Sequence, residues 1–72
     1  MTRPSDFTDE ELIWLAKVET FIDVIPPQNV EDKFIRRGVA DRTNLGPKIT
    51  GLGRIILDEA QSSGRIAKFE TI

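Results

Sequence analysis

The sequence predicts a mainly α fold: three short helices with a small β-hairpin between the second and the third. Three observations carry that expectation. The run Phe7-Thr8-Asp9-Glu10-Glu11-Leu12 has the residues of a capping box, a Thr with a Glu three positions on, set inside a hydrophobic staple. Pro26-Pro27 and Gly38 bracket a second helical stretch, because Pro disfavours helix in the residue before it and Gly suits the left-handed position past a helix end. Between Gly38 and Thr50 the chain turns extended, then turn-rich, then apolar again, as a short hairpin does. With 72 residues, one small domain with a modest core is the expected count.

Residues 1–6 read as a flexible leader. The first helix is expected over residues 9–23. Thr8 accepts from the amide of Glu11, Glu11 reaches back to the amide of Thr8, and three acids sit at the positive end of the helix dipole. Helical spacing puts Trp14, Leu15, Val18, Phe21 and Ile22 on one side, the expected core face. The other side carries Glu10, Lys17, Thr20 and Asp23 with Ile13 among them. Ile13 is either a lone exposed aliphatic or part of a partner surface.

The second helix is expected over residues 27–37, with Pro27 in its first turn and Val30 and Phe34, one turn apart, anchoring it. Lys33, Arg36 and Arg37 stand at i, i+3 and i+4 and form a basic stripe. That stripe either completes a solvated face at the negative end of the helix or binds phosphates or acids. Val39 to Arg42 reads as a short strand, Thr43 to Pro47 as a turn, and Lys48-Ile49 as the return, with Ile49 inward and Arg42 and Lys48 on the rim.

The third helix is expected over residues 51–62 with Thr50 as its N-cap. Gly51 and Gly53 in its first turn weaken it by roughly 1 kcal/mol each. Close approach of another backbone is the expected reason, since the spacing fits neither a Walker loop nor a dinucleotide fingerprint. Leu52, Ile55, Ile56 and Ala60 form the expected buried stripe, with Glu59 falling on the same side, where an ion pair with an arginine would satisfy it. Ser62-Ser63-Gly64 closes the helix. Residues 65–72 alternate like an edge strand or a tail that orders on binding, and Phe69 either completes the core or faces a partner.

Cys and His are both absent. Their absence removes the disulfide, the thiolate site, the usual zinc ligand and the commonest general base. Tyr is absent too, and capping accounts for Asp9, Glu10 and Glu11. A non-catalytic protein without cofactor or metal is therefore expected. No apolar run approaches the ~18 residues of a membrane span, and the N-terminus lacks the apolar stretch of a signal peptide. The expectation is a cytoplasmic protein with no membrane partner. Charge is split: residues 1–30 carry two basic and six acidic side chains, residues 31–72 eight and six. An acidic front leaves room for one basic face behind it.

The run from Phe34 to Arg42, followed by Lys48-Ile49-Thr50-Gly51-Leu52-Gly53-Arg54-Ile55-Ile56-Leu57, resembles part of a winged-helix domain. There a helix ends at Gly, a wing hairpin follows, and a Thr-x-x-Gly turn starts the next helix. The pattern is also similar to small phage-encoded proteins of unassigned role. The resemblance covers about residues 27–60 and implies a recognition helix bearing Lys33, Arg36 and Arg37 and a wing bearing Arg42 and Lys48. This chain has two helices before the hairpin where a full winged helix has three.

Two functions follow. In the first, a regulator binds DNA through Lys33, Arg36, Arg37, Arg42 and Lys48, which requires these five cations to share one solvent-facing surface. In the alternative, a protein-binding modulator masks a host or phage protein through Ile13, Lys17 and Phe69. A homodimer joined through its tails is a third arrangement.

Overall fold

In the computed structural model, residues 2–21 and 24–66 are described. The chain forms α1 (Asp9–Thr20), α2 (Gln28–Arg36), β1 (Ala40–Thr43), β2 (Gly46–Ile49) and α3 (Gly51–Ser62). This is three helices with an antiparallel hairpin between the second and third. A turn of 3-10 helix at Pro4–Asp6 precedes α1, within the stretch expected to be leader.

α1 begins where its capping box predicts. The Thr8 amide donates to Glu11 Oε1 at 2.8 Å, and the Glu11 amide donates to Thr8 Oγ1 at 3.1 Å. Phe7 and Leu12, the staple positions, are both buried. The helix ends at Thr20, earlier than expected. Phe21 takes extended dihedrals and its N–H closes the last turn on the Lys17 carbonyl. Ile22 and Asp23 lie outside the described residues. The buried side is Leu12, Leu15 and Ala16, with Trp14 packed against it. Phe21, expected in the core, is 52% exposed, because the helix stops before that position can turn inward.

Pro27 is the N-cap of α2, one place before the expected first turn, and its carbonyl accepts from Val30 and Glu31. Either place suits a residue without an N–H. The far end is a Schellman motif: Gly38 sits at φ +77, its N–H donates to Ile35 O, and the Val39 N–H donates to Phe34 O. Val30, Phe34 and Val39 are all buried, and the Phe34 ring meets the Phe7 ring edge-on at 6.0 Å.

The hairpin pairs Ala40 with Ile49, Asp41 with Lys48, Arg42 with Pro47 and Thr43 with Gly46. Its loop is only Asn44-Leu45, shorter than the sequence suggests. Gly46 at φ +106 makes the tight turn, and the Thr43 hydroxyl donates to the Gly46 carbonyl at 2.6 Å. Strand side chains alternate between faces. Ala40 and Ile49 are buried on one face; Arg42 and Pro47 continue that face beyond the core. Asp41 and Lys48 stand on the other.

α3 starts at Thr50, whose hydroxyl accepts from the Gly53 amide at 3.1 Å and donates to the Gly38 carbonyl at 2.6 Å. One side chain thus ties the start of α3 to the end of α2. Gly53 is buried where a Cβ would strike the Val39 carbonyl oxygen, whereas Gly51 has open space around it. Only one of the two glycines answers to close packing. The buried stripe is Gly53, Ile56, Leu57 and Ala60, rotated from the expected one. Ile55 is 56% exposed, and Glu59 is exposed beside it with no ion pair among the described residues. Because Glu59 faces water, it needs no arginine partner.

A second Schellman motif ends α3, with Gly64 at φ +80 and the Arg65 N–H donating to Ala60 O at 3.0 Å. The Arg65 guanidinium then donates to the carbonyls of Pro4 and Phe7 at 2.6 and 2.8 Å and to Asp9 Oδ1 at 2.8 Å. Ile66 is buried. The strand-or-tail reading of the segment beyond it, with Phe69, lies outside the described residues.

Candidate functional site

The five cations of the DNA reading do not lie on one surface. Lys33 turns inward: its Nζ bonds Glu11 Oε1 at 2.9 Å and sits 5.3 Å from the centre of the Phe7 ring. Arg42, on the core-side face of the hairpin, reaches α2 and pairs with Asp32 at 2.8 Å and Glu31 at 3.7 Å. Lys48 stands on the opposite face of the ribbon. Arg36 and Arg37 are exposed at the end of α2, and neither they nor Lys48 form an ion pair among the described residues.

Of the residues proposed for a protein partner, Ile13 is 37% exposed on α1. Lys17, one turn on, lays its ammonium 4.7 Å from the centre of the Trp14 ring, where the ring's negative face attracts it.

Glu11 both caps α1 and holds Lys33 of α2. Partial burial pushes its carboxyl up, but hydrogen bonds from Lys33 and Thr8 and the Lys33 charge outweigh this and hold it below its ordinary value of 4.5. A carboxyl held low stabilises the fold above its unfolded value and loses that contribution as pH falls through the folded value. Glu11→Gln keeps a capping side chain but removes the charge. It is expected to cost ~1 kcal/mol at neutral pH, and the difference from wild type should vanish as pH drops well below 4.5. Urea unfolding at several pH values measures this; a difference that persists in acid would remove the charge from the explanation.

A concave feature of the surface lies elsewhere, between the end of α1, the hairpin and the first turn of α3. It encloses ≈ 360 Å³. Val18, Phe21, Pro47 and Ile49 give it apolar walls, and Lys48, Arg54 and Glu19 are its charged members. Leu45, at the hairpin tip, also lines it and is 91% exposed. Ile25 adjoins it, 68% exposed, with its Cγ1 4.0 Å from where a Cβ on Gly46 would lie. Sequence reasoning passed over this cleft. One signal was there: Leu45 is a large apolar residue in the middle of the turn-rich run from Thr43 to Pro47.

The fold and this surface define a small mainly α domain with an apolar cleft beside its hairpin. No protein-family model matches the chain, and no curated protein and no solved structure matches it either. Among the described residues, no helix is long and apolar enough to cross a membrane.

Proposed function

We propose that this chain is a small non-catalytic binding protein that docks a protein partner in the cleft between α1, the hairpin and α3. The observation that carries the reading is the grouping of Leu45, Ile25 and Phe21, all largely exposed, around one concavity. Contiguous exposed apolar side chains in a chain this small mark an interaction surface. A concave apolar site suits a partner's anchoring side chain, because side chains that fill a desolvated pocket carry most of an interface's binding energy. Masking of a host or phage protein, the modulator role, is the reading this favours.

DNA binding by a winged-helix-like regulator is the second reading. What supports it is the pair Arg36 and Arg37, exposed at the end of α2 next to the hairpin, with Lys48 as a further exposed cation. Two of the five cations expected to contact phosphate are engaged by acids instead, which is why this reading ranks second.

One experiment separates them: affinity capture with wild type, with Leu45→Ser/Ile25→Ser and with Arg36→Ala/Arg37→Ala, each with and without nuclease. The first reading expects a nuclease-resistant partner that is lost with the Leu45/Ile25 variant alone. Duplex binding that falls with salt at a log–log slope of about −0.9 per phosphate and is lost with the arginine variant would overturn it in favour of DNA.

A further inference from the structure

We infer that the partner segment accepted by the cleft is an acidic, apolar peptide, one that presents leucine- or phenylalanine-like side chains next to carboxylates. This rests on the protein-docking reading and narrows it.

The inference comes from what the cleft combines. Its walls are hydrocarbon from Val18, Phe21 and Pro47, closed at the tip by Leu45. Its charged members are two cations, Lys48 and Arg54, against one acid, Glu19, so the cleft is locally positive on a chain whose net charge is −2. Lys48 and Arg54 are exposed and form no ion pair among the described residues. Asp41 stands directly across the hairpin from Lys48 without closing on it. These two contrast with Lys33, Arg42 and Arg65, each already held by a carboxylate. A partner carboxylate that reaches either Lys48 or Arg54 at the margin of the cleft gains a charge-assisted hydrogen bond beside apolar surface that sheds water.

Two other occupants fit less well. A nucleic acid backbone would meet the cations but has no aliphatic side chain for the walls. An added strand would need backbone donors along β2, and Pro47 has none. Recognition therefore runs through side chains.

Three short fluorescein-labelled peptides test this: one of leucine, phenylalanine and glutamate, one with lysine replacing glutamate, and one of serine and glutamate with no apolar residue. Fluorescence anisotropy is expected to show the first binding about tenfold tighter than the second, since exposed ion pairs are each worth little, and the third not binding. Lys48→Glu/Arg54→Glu should reverse the preference between the first two, and Leu45→Ser should weaken both. All these positions are exposed, and circular dichroism verifies that each variant folds.

Equal binding of the acidic and lysine peptides would overturn the charge assignment and leave the docking reading standing. No binding of any peptide overturns the inference. If capture of a nuclease-resistant partner is then also indifferent to Leu45, the docking reading falls with it. Binding of a short duplex that is lost in Lys48→Glu/Arg54→Glu overturns it in favour of nucleic acid. Self-association that disappears in Leu45→Ser, seen by sedimentation, overturns it in favour of a second copy.

Discussion

Phe34→Ala is expected to take away a large share of the domain's stability. Phe34 is fully buried and has its ring against that of Phe7. Its carbonyl also accepts the Val39 N–H that closes α2, so the ring and the backbone of one residue hold the helix end against the core. Truncating a buried Phe costs ~3–5 kcal/mol. A domain of this length has roughly 4–11 kcal/mol to lose. Urea unfolding followed by the fluorescence of Trp14, the sole Trp, should show the midpoint falling by about a quarter at the least. Phe34→Leu, which keeps most of the volume, should cost ~1.5 kcal/mol or less. A midpoint near wild type for the alanine variant would mean the core closes without this ring.

Gly53→Ala is expected to destabilise, and Gly51→Ala, two positions earlier, to stabilise. Helix propensity alone favours alanine at both by ~1 kcal/mol. At Gly51 nothing opposes it, because a new Cβ meets no atom within 4 Å. At Gly53 the Cβ collides with the Val39 carbonyl oxygen and comes within 2.6 Å of Ile49 Cγ1. Neither neighbour has room to yield: the Val39 oxygen accepts the Thr50 N–H at 3.0 Å, and Ile49 is a core residue. Overpacking costs ~1–3 kcal/mol and sometimes more, so a net loss of ~2 kcal/mol is expected at Gly53. Thermal melts of the two variants should move in opposite directions. A raised melting temperature for Gly53→Ala would show that α3 can move away from Val39 and Ile49, contrary to their close approach.

What was legible in the sequence was local. The Thr8–Glu11 box, the Gly38 cap and the Thr50 cap each involve residues within a few positions of one another, and their chemistry permits few alternatives. The element order follows from them. What was not legible depends on how finished elements turn against one another. The expected stripe of α3 included Ile55, yet the helix is rolled so that Gly53 meets Val39 and Ile49 and Leu57 turns inward. Ile55 and Glu59 then go out together. The apolar period of α3 does not specify that roll; the missing side chain at Gly53 does, once Val39 and Ile49 are in place against it. The cationic surface misled for the same reason. Lys33 stands correctly on its helix, but its acid, Glu11, lies on another helix. Arg42 and Lys48 read as one rim in the sequence, whereas the register of the hairpin sends them to opposite faces.

The Arg65 clasp has a practical consequence for anyone trimming this protein. The guanidinium stitches the end of α3 to the backbone carbonyls of Pro4 and Phe7 and to Asp9, and Ile66 plugs the core immediately after it. A stop codon placed after Gly64 would unfasten both ends of the chain at once and leave Phe7 beneath a lost cover. The same stop placed after Ile66 removes residues 67–72 and spares the fastening. Shortened versions made to probe that last segment belong on the second design, where a change in behaviour can be credited to the segment itself.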